Sequence, residues 1–176
     1  MKKKEDYLTN DRISEVLFSK SPDEYGSRYQ SDYIEIYKIY VASADNISSR
    51  RQTANSFFLT LNTALLAFLG YAKPSFGQSI GRLILLGTLA GILLCFIWYR
   101  LIKSYKGLNS GKFKVIHLIE HNLPLAPYDA EWEAVGRGSD SKKYMPFTHI
   151  EVYVPWVFAV IYVIVLLLSS LWKEFC

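Results

Sequence analysis

Three stretches of the chain, Thr53 to Ala72, Leu83 to Tyr99 and Val152 to Trp172, contain no Lys, Arg, Asp or Glu. A helix rising ~1.5 Å per residue needs about 20 mostly apolar residues to cross a ~30 Å hydrocarbon core, so each run reaches or nearly reaches bilayer length. The second run extends to Ile102 once Arg100 snorkels to the interface. A soluble core helix interrupts its apolar face with charge every few residues. Here charge is missing around the whole circumference, which argues against a soluble three-helix bundle.

Upstream of the first run the period changes. Tyr33, Ile34, Ile36, Tyr37, Tyr40, Val41, Ala44 and Ile47 recur at spacings of three and four, while Asp32, Glu35, Lys38 and Asp45 are polar. That is the pattern of an amphipathic helix. No Pro or Gly lies between Gln30 and Leu69, so this helix is expected to continue into the first span as one rod of about 60 Å. Beyond the second run, Phe113, Val115, Ile116, Leu118, Ile119 and Leu123 restore an apolar stripe up to Pro124, with Gly107 and Gly111 marking a kink or close contact. Pro124, Pro127, Gly136, Gly138 and Pro146 then predict an irregular connector of roughly 25 residues, packed through Tyr128 and Trp132.

These patterns predict an all-α integral membrane protein with three transmembrane helices, two of them extended into the cytoplasm. The expected order is a flexible N-terminal segment (1–28), a cytoplasmic amphipathic helix (29–53), transmembrane helix 1 (54–72), a short external turn (73–81) and transmembrane helix 2 (82–102). A cytoplasmic helix and connector (103–150), transmembrane helix 3 (151–172) and an external tail (173–176) follow.

Charge supplies the orientation. Of the 20 Lys and Arg residues, nine precede the first run and eight lie between Arg100 and Lys143, against two, Lys73 and Arg82, at the first turn. The positive-inside rule puts the two richer segments in the cytoplasm, the N-terminus inside and the C-terminus outside. Trp98, Tyr99, Tyr153, Trp156 and Trp172 fall near span ends, where amphipathic rings prefer the headgroup zone. No cleavable signal is evident, so the first span is expected to serve as an uncleaved anchor. The net charge of +4 comes from basic residues interspersed with nearly as many acids, a mixture suited to anionic lipid rather than nucleic acid. Two cysteines, Cys95 and Cys176, make no disulfide framework and no zinc spacing.

Several constellations carry candidate chemistry. Gln52, Asn55, Ser56, Thr60, Asn62 and Thr63 fall within an arc of about 160° on the first span, opposite Phe57, Phe58, Leu61, Leu65 and Phe68. Polar groups in hydrocarbon face protein or water, so the arc serves either interhelical hydrogen bonds at a subunit interface or a water-filled pore. Gly87 and Gly91 form a G-x-x-x-G pair that permits close helix approach, at a subunit contact on this reading. His117, Glu120 and His121 match H-x-x-E-H, the inverted zincin arrangement, but a third ligand is wanting: Asp129, Glu131 and Glu133 follow closely after two prolines. No metal, cofactor or catalytic residue is therefore expected, a metal-dependent hydrolase at that segment being the lesser alternative. Arg50 and Arg51 read as positive-inside anchors, with pairing to Asp129, Glu131 or Glu133 as the alternative. There is no G-x-S-x-G elbow, P-loop or dinucleotide fingerprint, and Gly136-Arg137-Gly138 is too short to cradle phosphate.

The block from Ile47 through Thr63, with Arg50-Arg51-Gln52 and Asn55-Ser56-Phe57-Phe58, resembles the RipA family of octameric bacterial membrane proteins. So do Leu108 through His117, Asp129-Ala130-Glu131-Trp132-Glu133 and Gly136-Arg137-Gly138, together covering Tyr37 to Pro155. The resemblance implies an inner-membrane homo-octamer without an assigned enzymatic activity. Joined to the amphipathic helices, it leads us to expect a non-enzymatic ring-like scaffold whose cytoplasmic collar, including Arg50, Arg51, Asp129, Glu131, Trp132 and Arg137, recruits a protein partner or lipid. A channel lined by transmembrane helix 1 is the alternative.

Overall fold

The structure is a computed structural model that describes residues 10–75, 80–138 and 150–175. Every regular element among the described residues is helical: α1 (Asn10–Leu17), α2 (Pro22–Tyr25), α3 (Tyr29–Ser75), α4 (Ile80–Glu120), α5 (Pro127–Ala134), a 3-10 turn (Gly136–Gly138) and α6 (Val154–Phe175). The breaker-free stretch after Gln30 lies in one helix, and α4 likewise runs through Arg100 without interruption. Two helices, Tyr29–Tyr71 and Gly81–Glu120, are long and apolar enough to cross a membrane, and Val154–Ser169 is a shorter apolar helix.

The chain divides into two compact units. One, the Asn62 unit, comprises Ile47–Leu108 and Met145–Cys176; the other, the Glu120 unit, comprises Met1–Asn46 and Asn109–Tyr144. In the Asn62 unit the interior is aromatic. Phe58 stacks on Trp98 with centroids 5.8 Å apart, and Phe158 tilts against the same indole at 6.1 Å. Ile102 completes this cluster, while Leu69, Cys95 and Tyr162 form a second. Pro155 is buried in the first turn of α6, where its missing N–H forfeits no helical hydrogen bond. The outward faces stay apolar: Leu86, Leu93, Phe96, Val160 and Leu167 are all more than half exposed.

The Glu120 unit is built on tyrosine. Tyr33, Tyr37 and Tyr40 line one side of α3 with buried Ala44, and α4 packs there through buried Ile116 and Ile119. Lys112 lies 4.3 Å over the Tyr40 ring and donates to Ser43 Oγ at 2.8 Å. Ile34 and Ile36, counted in the apolar stripe by spacing, are instead exposed.

Three local expectations are corrected. Residues 10–27, expected to be flexible, contain α1 and a capped turn. Ser21 Oγ accepts from Glu24 N, Glu24 Oε2 accepts from Ser21 N, and Pro22 opens the turn, a reciprocal capping box. Phe18 then stacks parallel to Tyr33 at 6.4 Å. The connector, expected to be irregular, holds α5, because Pro127 occupies a first-turn position where a missing N–H is harmless. A Cβ added to Gly107 or Gly111 would meet nothing within 4 Å, and both glycines lie inside continuous α4, so they make no close helix contact among the described residues. The expected turn at residues 76–79, the stretch 139–149 with Pro146, and Cys176 lie outside the described residues.

Candidate functional site

The polar arc of the first span divides into two edges. Asn62 is fully buried: its Nδ2–H donates to Phe58 O at 2.8 Å, and its Oδ1 accepts from the Tyr162 hydroxyl at 3.2 Å and the Cys95 thiol at 3.5 Å. The Tyr162 hydroxyl is also 3.2 Å from Asn62 O. One amide thus ties α3, α4 and α6 together in a place where an unpaired amide costs several kcal/mol. Two helical turns towards the N-terminus, Asn55 Oδ1 accepts from Trp98 Nε1 at 2.9 Å. Both asparagines are therefore turned to partners within the protomer, Asn62 fully buried and Asn55 partly exposed.

The other edge is exposed. Gln52, Ser56, Thr60 and Thr63 have exposed side chains and make no side-chain hydrogen bond among the described residues. At 100° per residue they share an arc of about 80°, adjoining the Asn55 and Asn62 edge.

The glycine pair, expected at a subunit contact, also works inside the protomer. A Cβ on Gly91 would collide with the Tyr162 ring, and one on Gly87 would meet Leu69 Cδ2 at 2.7 Å. Gly91 is thus the recess that admits the ring whose hydroxyl reaches Asn62. Thr88, between the two glycines, is buried and donates back to Ile84 O at 2.8 Å.

Arg51 lies 3.6 Å from Glu151 Oε2, both side chains being three-quarters or more buried. Glu151 thus stands where the alternative reading had Asp129, Glu131 or Glu133 as partners of Arg51. Arg50, one residue away, is exposed and makes no ion pair among the described residues.

In the other unit the H-x-x-E-H segment has a different occupation. Glu120 is 1% exposed. Its Oε1 accepts from the Tyr37 hydroxyl at 2.8 Å and from Tyr128 N at 3.2 Å, and its Oε2 accepts from Asp129 N at 3.1 Å. Residue Ala126 gives α5 no side-chain cap, so the carboxylate of Glu120 caps α5 in its place. A helix N-terminus welcomes negative charge, offsetting the unfavourable position of an acid in the last turn of α4. Tyr33 donates to Ile119 O at 2.6 Å, a second donor on a carbonyl that also accepts from Asn122 N at 3.1 Å in the turn that ends α4. His117 Nδ1 faces Asp129 Oδ1 at 3.5 Å, and His121 is exposed. Among the described residues no three His, Cys, Asp or Glu side chains converge as metal ligands.

The remaining collar residues lie on or after α5. Glu131 and Trp132 are exposed, and Arg137 donates from Nε to Glu133 Oε1 at 2.7 Å. That pair holds the Glu133 carboxyl below, and the Arg137 guanidinium above, their ordinary pKa ranges. A separate cavity of about 190 Å³ among Phe18, Tyr25, Tyr29, Tyr33 and Ile119 contains Asp32, whose carboxylate is already taken by the Tyr25 hydroxyl at 2.9 Å and Arg28 at 3.2 Å.

Spacing on single helices does not reveal Tyr162, Trp98, Glu151, Tyr33 or Tyr37 as partners. The lone tyrosine deep within the aliphatic third run was the available signal for the first: a buried hydroxyl needs a partner, and Asn62 is the amide at a comparable depth.

No curated protein and no solved structure matches the chain significantly. The octameric membrane protein family (8xMP) matches it over residues 34–172. That stretch contains both long apolar helices almost entirely, the Asn62 cluster and the Glu120 cap, and by it the chain belongs to the octameric membrane protein family.

Proposed function

We propose that the chain is a non-enzymatic building block of a homo-octameric ring in the bacterial inner membrane, with the Glu120 unit as a cytoplasmic collar that recruits a protein partner or lipid. The observation that carries this reading is the exposed edge Gln52, Ser56, Thr60 and Thr63. Hydrocarbon offers Ser56, Thr60 and Thr63 no hydrogen bond, so they face another protein surface or water. In a family of octamers the nearest protein surface is another copy of the same chain. Three crossings, with the N-terminus inside, follow from the charge asymmetry across the spans.

The same edge favours a second reading, a channel whose lumen the first span lines. Asn62 is unavailable to it, being closed in by Tyr162 and Cys95, so any lumen would be lined by Thr60, Thr63 and their neighbours.

Mass measurement in mild detergent tests the first reading: wild type runs as one discrete octamer, and Ser56→Leu with Thr60→Leu and Thr63→Leu shifts it to smaller species. A wild-type monomer at every concentration, or an unshifted triple variant, sinks the proposal that this edge joins subunits. Ion flux through vesicles containing the octamer, reduced by Thr60→Val, would move the choice to the channel.

A further inference from the structure

Where the basic segment meets the first apolar run, Ser49, Arg50 and Thr53 of α3 and Tyr105 of α4 wall an open cavity of about 430 Å³, whose lining continues into Phe57 and Phe58. We propose that this groove seats an anionic phospholipid, its phosphate on Arg50 and its first acyl segment along Phe57. The inference rests on the membrane reading above but not on the octamer.

Charge is the first argument. No acidic side chain lines the cavity, and Arg50 makes no ion pair among the described residues, whereas its neighbour Arg51 is committed to Glu151. A guanidinium presents a planar fork of N–H donors that fits two phosphate oxygens at once. The hydroxyls extend it. Thr53 spends its proton on Ser49 O at 3.1 Å, but the Ser49 and Tyr105 hydroxyls have no acceptor among the described residues and remain free to donate. Phosphate is an acceptor on every side.

The apolar half decides between a lipid and a soluble phosphate. Phe57 is 60% exposed and lies two helical turns from Arg50, about 10 Å along the axis. A water-soluble phosphate would leave that ring uncovered; an acyl chain would cover it. The order along the helix, cation and hydroxyls before aromatic rings, runs in the same sense as the passage from charged segment to apolar span. It is the arrangement of a basic site at a bilayer surface that takes an anionic head group.

The test is native mass spectrometry of the full chain in mild detergent, titrated with phosphatidylglycerol or with phosphatidylcholine of the same acyl chains. Wild type is expected to retain phosphatidylglycerol in preference. Arg50→Gln should lower that retention roughly fivefold, the effect of one cation near an anionic surface, with phosphatidylcholine unchanged. Arg100→Gln, an arginine outside the groove, should leave both alone. Arg50→Lys keeps the charge and loses the fork, so an intermediate loss is expected and serves if the glutamine variant fails to fold. Equal retention of the two lipids by wild type, or unaltered phosphatidylglycerol retention in Arg50→Gln, overturns the proposal. Displacement of the lipid by millimolar glycerol phosphate overturns it in favour of a soluble phosphate ligand. If Arg50→Gln splits the assembly and spares the lipid, the groove is a subunit contact instead. Assembly mass is read in the same spectra, so a wild-type monomer that still binds phosphatidylglycerol defeats the octamer alone.

Discussion

Glu120 shows how a residue that resembles a catalytic acid can be a structural cap. Its three accepted hydrogen bonds, from Tyr37 and two α5 amides, leave a buried carboxylate satisfied by groups that all belong to the fold. The cost falls on the phenols around it. Burial first, and then the hydrogen bond to Glu120, hold the Tyr37 hydroxyl well above its ordinary pKa near 10. Burial raises Tyr33 and Tyr128 in the same direction. A phenol whose folded pKa is raised keeps its proton longer in the native state than in the unfolded chain. The stability it contributes is whole below about pH 10 and is lost as pH climbs through the folded value. Thermal unfolding followed by circular dichroism should therefore change little between about pH 7 and 9 and fall steeply above about pH 10. Tyr37→Phe should soften that alkaline fall and, by leaving the buried carboxylate one donor short, cost roughly 1–3 kcal/mol at neutral pH. An alkaline limb identical in wild type and variant would mean that the hydrogen bond to Glu120 does not govern this behaviour.

At the scale of elements, the two glycines of α4 differ in what confronts them. Gly91 meets an aromatic ring that is itself pinned by Asn62, whereas Gly87 meets the tip of a leucine that has other rotamers. Gly91→Ala must displace the Tyr162 ring, and overpacking of that kind costs about 1–3 kcal/mol, while Gly87→Ala should stay within about 1 kcal/mol. Unfolding temperatures of the two variants compared side by side check this, and equal losses would refute the asymmetry. The long helices are legible in the sequence for a simple reason: runs free of charge and breakers specify helix and apolar surroundings together. Less legible is how each polar group in them is used. Asn62 and Thr63 are neighbours in one polar arc, yet one is buried and the other exposed, because the choice depends on Tyr162, a hundred positions away. The connector misleads for a local reason, since Pro127 has the look of a breaker and yet starts α5. An acid at Asp129, in the first turn after that proline, is the signal for a helix start. The cap itself is beyond sequence, because Glu120 and α5 are joined by a turn whose path the pattern does not specify.

Across the whole molecule the two units solve opposite solvation problems. The Asn62 unit turns Leu86, Leu93, Phe96, Val160 and Leu167 outward and closes Asn62 inside, whereas the Glu120 unit carries tyrosine hydroxyls and a carboxylate in its interior. Exposed apolar surface on that scale suits lipid or a protein partner, not water. In the proposed topology the charge distribution then assigns sides. Nine basic residues before the first run and eight after the second outweigh the two at the turn between them, which sends both segments of the Glu120 unit to the cytoplasm and the tail after α6 to the outside. The chain's two cysteines provide the means of testing this, since Cys95 is buried beside Asn62 and Cys176 falls in that tail. A membrane-impermeant maleimide applied to intact spheroplasts should label wild type and spare Cys176→Ser. In the Cys176→Ser background, Lys20→Cys should react only after the membrane is opened. The reverse pattern would invert the topology, put the Glu120 unit outside the cell and remove the cytoplasmic collar, leaving the exposed edge of the first span to account for assembly by itself.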